Sequence, residues 1–247
     1  MTLDLLHAEL DQWAAEDKAA PIWWRDDDAV ADTPQLQQLL ALAERYAIPM
    51  TLAVIPEPVE QSLADRLADN PLMTVAQHGW SHHNNGAPDA KTIELGGLVD
   101  RQALRRDLAT GRERLQYLFD QPVAMMVPPW NRIERDVLAM LPELGFSVVS
   151  SCNRRPAMSL FPTGLARCNT HADPIAWRDG RDFAGEEATL EPLVSHLRWL
   201  RTEADSDERA GMMTHHLVHT DRVWQFTEKF AGLVSSHPGA RWVTGDT

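Results

Sequence analysis

Apolar residues fall at Leu3, Leu6, Leu10 and Trp13, three or four positions apart, so Thr2–Lys18 reads as an amphipathic helix. The pattern then changes. "PIWWR" (Pro21–Arg25) is a short continuous apolar run closed by "DDD", the signature of a buried strand that ends in a polar loop. Thr33–Ala47 returns to helical spacing, with Thr33 as N-cap and Pro34 at the first helical position. Strand and helix patterns go on alternating: "PMTLAVIP", "VEQSLADRLADN", "LMTVAQH", a long charged helix from about Val99 to Phe119, "VAMMVPPW", and "ERDVLAMLPELG" ended by Gly145. "SVVSSC" and "LARCNTHAD" read as strands and Leu190–Ala204 as a helix. "GMMTHHLVH", the helix "DRVWQFTEKFAGLVSS" and the strand "RWVTG" complete the chain.

This alternation without a linker-like gap predicts one parallel α/β domain over residues 1–247, a barrel or an open sheet, preceded by a helix within residues 1–20. The unusual polar residues are not scattered. "DDD", "QHGWSHH", "VPPWN", "HAD" and "THHLVH" all stand at or just beyond the C-terminal ends of expected strands. In a parallel barrel those ends converge on one face, where chemistry is built.

Charge narrows the partners. A net charge of -13 and a pI near 5.1 argue against nucleic acid and against docking on anionic membranes. No apolar run approaches the roughly 20 residues that span a bilayer. The acidic N-terminal segment lacks the pattern of a secretory leader, which makes the cytoplasm the expected location. Two cysteines, Cys152 and Cys168, are too few for a disulfide framework and read as a reduced, buried pair.

His78 and His82 offer imidazoles at ligand-like spacing, but Gly79 stands where the helical zinc motif needs glutamate, and the pair follows a strand. With one carboxylate they would make three protein ligands and leave an open position for water, the catalytic kind of metal site. Asp26, Asp27 and Asp28 are the candidate carboxylates: one as ligand and its neighbour as general base, or all three as a solvated acidic turn. His83 reads as exposed or outside the ligand set. If "THHLVH" is a strand, His215 and His219 share a side opposite His216. One of these histidines suits a general acid, while His219 suits a hydrogen-bonded place in the core. Asp173 either orients a histidine, binds substrate or caps the turn before Pro174. Trp80, Trp130 and Trp177 lie in or beside these loops, placed for stacking on sugar rings or for packing.

"RDDDA", "HGWSH", "VPPW" and "MMTHH", in this order, resemble the motifs of the polysaccharide deacetylase family, carbohydrate esterase family 4. The resemblance implies a distorted (β/α) barrel with about seven parallel strands. It also implies a divalent metal, usually zinc, held by Asp-His-His, and hydrolysis of N-acetyl or O-acetyl groups on a saccharide. Carried over by position, the metal ligands are Asp28, His78 and His82, the base is Asp27 and the acid is His215. The alternative pair is Asp26-Asp27; Arg25, two residues before Asp27, favours Asp27-Asp28. A backbone N–H near Pro129 or Trp130 would help hold the oxyanion. Two positions depart from the pattern. Gly79 replaces a serine or threonine, and Val127 replaces the arginine that orients the base, leaving Arg25 or Arg132 to substitute. The readings that follow are a deacetylase of a saccharide, a metal-dependent hydrolase of a related small amide, and a saccharide-binding barrel without turnover.

Overall fold

Ten residues from Ala20 to Ala29 form β1, the strand around which the sheet is organised. In the computed structural model, which describes residues 3–153, 161–203 and 207–245, β1 runs parallel to a neighbour on each side. The elements that precede and follow it are α1 (Leu3–Ala15), α2 (Pro34–Tyr46), β2 (Met50–Val54), α3 (Gln61–Leu67), β3 (Met73–His78), α4 (Arg101–Phe119) and β4 (Met125–Val127). Then come α5 (Arg135–Met140), β5 (Val148–Val149), β6 (Ala166–Arg167), α6 (Glu186–Thr202), β7 (Ala210–Thr214), α7 (Asp221–Ser236) and β8 (Ala240–Trp242). The expected outer residues Thr2 and Ala204 of two helices lie outside the described residues.

The sheet order is β6-β5-β4-β3-β2-β1-β7, with β8 pairing the start of β1, and every pair is parallel. Beyond β5 and β6 a single bridge joins Cys152 to Thr170, and among the described residues the segment after β6 meets β7 only through the bridge of Ala172 to Met212, so the curl closes irregularly. The result is a distorted (β/α) barrel, as expected. No helix among the described residues is long and apolar enough to cross a membrane.

Side-chain alternation along the strands separates two layers. Ile22 and Trp24 face the helices, where Trp24 packs its ring 5.9 Å from both Phe230 and Trp242. Trp23 faces inward with Ala53, Ala76, Met125, Val127 and Val148, filling the barrel below the face formed by the C-terminal strand ends. The local signals that place α2 are the expected ones: Thr33 accepts the Leu36 N–H at 3.1 Å, and Pro34 occupies the first turn.

Three expectations need correction. "DDD" is not a loop, because β1 continues through it to Ala29. The strand expected over "LARCNTHAD" shrinks to Ala166–Arg167, the rest being held by isolated bridges. The cysteines are not joined by a disulfide, and they are not a buried pair: Cys168 is buried and Cys152 is exposed.

Candidate metal centre and active site

Consecutive residues of a strand point to opposite faces, yet "DDD" needs two carboxylates on one side. The register of β1 against β2 resolves this. Asp26 pairs with Leu52 and Ala29 with Val54, so three steps on β1 oppose two on β2, and Asp28 adopts a left-handed φ of 71°. This is a β-bulge, a device that re-aims a side chain at the cost of local pairing. Asp27 faces the barrel interior by alternation and Asp28 is turned to the same cavity by the bulge, while Asp26 faces the helices.

Asp27 is buried and gripped by a neighbour on its own strand. Arg25 donates from Nε to Oδ1 at 2.8 Å and from Nη2 to Oδ2 at 3.0 Å. The guanidinium is itself wholly buried, donating also to Ser150 Oγ at 2.6 Å and to Asn131 Oδ1 at 3.0 Å. Arg132, the other candidate for this role, donates to Thr92 instead. Arg25 therefore holds Asp27 where Val127 contributes no charge. Asn131 reaches Arg25 from the turn Pro129–Asn131, in which Trp130 and Asn131 have φ of 53° and 55°. Two successive left-handed non-glycine residues mark a backbone held in a costly shape by its surroundings.

Asp28 meets His78 and His82. Its Oδ1 lies 3.2 Å from His78 Nε2 and 3.6 Å from His82 Nε2, without forming an aligned hydrogen bond. His78 Nδ1 is 3.0 Å from the Val127 carbonyl, which can only accept, so the neutral ring carries its proton on Nδ1 and turns the Nε2 lone pair toward Asp28. Electron-rich atoms that converge in this way repel unless a cation lies among them, and the N, N, O donor set suits zinc and similar divalent ions. Burial alone would raise the Asp28 carboxyl, but His78 beside it holds it well below the usual range. His78 is raised despite burial, through Asp28 and Asp27.

Two other groups among the described residues bring histidine and carboxylate atoms together: His7, Asp11 and His237, and His171, His196 and Glu208. Their tautomers differ from that of His78. Gly239 N–H donates to His237 Nδ1 at 3.0 Å, and Gly211 N–H donates to His171 Nδ1 at 3.1 Å. In each neutral ring the proton is then on Nε2, which in His237 is the atom 3.3 Å from Asp11 Oδ1, the wrong form for a ligand. Of the three groups, the Asp28 group is the one in which a backbone carbonyl fixes the proton on the far ring nitrogen and so turns an imidazole lone pair toward the carboxylate.

The loop that carries His82 is shaped by a residue without any sequence signal. Glu94 Oε1 accepts from the backbone N–H groups of Trp80, Ser81 and His82, and from Ser81 Oγ. Its carboxyl is raised by burial, against the effect of these bonds. A Cβ on Gly79 would stand 1.9 Å from Glu94 Oε2, and Gly79 has a φ of 59°. Glu94 thus fills the space that a serine or threonine side chain would need, a physical reason for the glycine.

His215 stands opposite, its Nε2 3.9 Å from Asp27 Oδ2 and its ring edge-on to Trp177 at 4.6 Å. The strand expected through His219 ends at Thr214, and His216–Val218 form a tight turn. So the simple two-fold alternation fails: His215 faces the cavity and His216 faces Asp26. His219 packs against Trp224 with no hydrogen bond on its ring, so the hydrogen-bonded core place expected for it is also corrected. Asp173 caps the following turn by accepting from Ile175 N–H and also accepts from Trp177 Nε1 at 2.7 Å, fixing the indole beside His215. Burial pushes the Asp173 carboxyl up, partly countered by His215. His83 is exposed, as expected.

Asp27, Asp28, His78, His82 and His215 line one cavity of about 720 Å³, walled by Trp130 and Trp177. Of Pro129 and Trp130, only Trp130 has a backbone N–H to offer an oxyanion. Trp80 is absent from the cavity wall.

No curated protein compared with the sequence matches it significantly. Among solved structures, a Mycobacterium smegmatis protein assigned as a polysaccharide deacetylase superposes with a TM-score of 0.68 at 16% identity, covering 92% of this chain and 87% of that one. A peptidoglycan N-acetylglucosamine deacetylase gives 0.56 at 16% identity, over 94% and 92% of the two chains. An acetyl xylan esterase from Clostridium thermocellum, with a cobalt ion, gives 0.55 at 11% identity, over 91% and 87%. At such identities these likenesses establish the fold. The sequence pattern described as polysaccharide deacetylase matches residues 20–149, more than half of the chain and including Arg25, all three aspartates, His78 and His82. The chain belongs to the polysaccharide deacetylase family.

Proposed function

We propose that this protein is a metal-dependent hydrolase that removes N- or O-linked acetyl groups from a saccharide. One observation carries the reading: a buried, arginine-held carboxylate, a convergent Asp-His-His donor set and a third histidine share one cavity with two indole walls. A divalent cation held by Asp28, His78 and His82, zinc being the first choice for these donors, supplies Lewis acidity for water and for the acetyl carbonyl. Asp27 takes the proton from water as its oxygen bonds to the carbonyl carbon. The Trp130 N–H suits the oxygen that gains charge. The C–N or C–O bond then breaks, the acyl group leaves as acetate, and His215 gives its proton to the departing amine or alkoxide. Arg25 keeps Asp27 fixed throughout, an arrangement that a pure sugar-binding barrel does not need.

The test is acetate release from a panel of N-acetyl and O-acetyl saccharides by the zinc-loaded protein, Asp27→Asn and Asp28→Ala. Release by the wild type that falls at least ~100-fold in both variants is expected. Release unaffected by either substitution, or none from any acetylated saccharide, overturns the reading.

A further inference from the structure

We propose that Asp26, the aspartate outside the cavity, is a positioning residue that works with His216 to set the place of His215. The assignment of His215 as acid rests on the deacetylase reading; the geometry of the brace does not.

Asp26 is wholly buried on the helix side of β1, and both of its oxygens are engaged by the segment that carries His215. Oδ2 accepts from Thr214 Oγ1 at 2.6 Å and from the His216 backbone N–H at 3.0 Å, and His216 Nδ1 lies 2.5 Å from Oδ1. The Thr214 hydroxyl has its direction fixed from behind, because Trp24 Nε1 donates to it at 2.8 Å. Asp26 and Thr214 are also register partners of β1 and β7. The residues on both sides of His215 are thus tied to one carboxylate.

His215 itself has no comparable anchor. Its Nδ1 is buried without a hydrogen-bond partner, its Nε2 lies 3.9 Å from Asp27, and its firmest side-chain neighbour is the edge contact with Trp177. Where the ring sits is therefore decided by its backbone, and the backbone is decided by Asp26. Asp26 and Asp27 are adjacent and face opposite ways. One dipeptide therefore holds the base directly and the acid through the turn, which fixes the span between them. A buried carboxylate with both oxygens engaged by one segment holds that segment in one geometry, and displacement of a catalytic group by about 1 Å costs on the order of 100-fold in rate.

The test uses Asp26→Asn, His216→Leu and His216→Asn, the last because an asparagine amide nitrogen stands where His216 Nδ1 does. Expected for Asp26→Asn and His216→Leu is a fall in kcat of ~10–100-fold, with KM within about 2-fold and metal content unchanged. His216→Asn should restore most of the loss. Unchanged kcat in folded Asp26→Asn or His216→Leu overturns the proposal, as does a loss that His216→Asn does not relieve. If those two fail to fold, Thr214→Val decides: a kcat loss at nearly unchanged melting temperature supports the brace, and full activity overturns it. A crystal structure of His216→Leu supplies a readout independent of turnover. A displaced His215 supports the brace, and His215 still 3.9 Å from Asp27 overturns it. Failure of the deacetylase reading would show separately, as a wild type that releases no acetate.

Discussion

Arg25 and Asp27 lie two residues apart on one strand and form a side-by-side, two-bond ion pair with almost no solvent contact. The spacing is what allows it, since alternate strand residues share a face. Breaking such a pair strands a buried charge, which costs on the order of 3–5 kcal/mol. Arg25→Ala is therefore expected to lower stability by that order in urea unfolding. Arg25→Lys keeps the charge but loses the planar fork; it should leave the protein folded and lower kcat by ~10-fold or more while changing KM little. Equal kcat for Arg25→Lys and wild type would remove Arg25 from the role of holding the base.

Metal content separates the three histidine clusters. His78→Ala and Asp28→Ala are expected to lose about one equivalent of bound zinc per chain, measured by elemental mass spectrometry after dialysis. His171→Asn and His237→Asn should keep it, because backbone N–H groups hold those two rings with the proton on Nε2. Zinc that leaves with His237 or His171 instead would place the ion in another cluster.

Much of this was legible in the strand ends, and what was not has identifiable causes. The alternating pattern and the clustering of polar residues beyond apolar runs predict the barrel and the catalytic face, because both follow from local periodicity. That "DDD" belongs to β1 is not visible, since an acidic triplet usually terminates a strand; here Arg25 on the same strand, and His216 and the His78–His82 pair from distant parts of the chain, compensate the three charges. The bulge at Asp27–Asp28 likewise depends on register with β2. Arg25 and Arg132 were equal candidates by sequence; Ser150 and Asn131 decide between them, and both come from other loops. Glu94 has no local signature at all, and its only trace is the glycine at position 79.

That trace makes a coupling measurable. Gly79→Ser should weaken zinc binding, since its Cβ meets Glu94 and its φ is left-handed. Glu94→Ala should weaken it too, by ~10–100-fold, because three N–H groups of the ligand loop lose their acceptor. The double variant should be less impaired than the sum, with a coupling of roughly 0.5–3 kcal/mol in zinc affinity. Strict additivity would mean that the glycine is not there to make room for the glutamate.

Acid sensitivity offers a last check, through His219. Burial against Trp224 lowers its imidazole from 6.5 to about 4, with His216 and His215 acting in the same direction and Asp26 opposing. The folded state thus favours the neutral ring. Its contribution is fully present above pH 6.5 and is lost progressively as pH falls toward 4, where the unfolded chain binds a proton that the folded chain refuses. His216 acts with the opposite sign, since pairing with Asp26 raises it despite burial, and its contribution fades as pH rises. Comparing wild type with His219→Phe removes that shared part. Between pH 7.5 and 4.5, urea unfolding should show the wild type losing more stability than the variant, by at most on the order of 3 kcal/mol. Parallel pH dependence of the two proteins would mean that His219 is protonated as readily in the folded state as in the unfolded one.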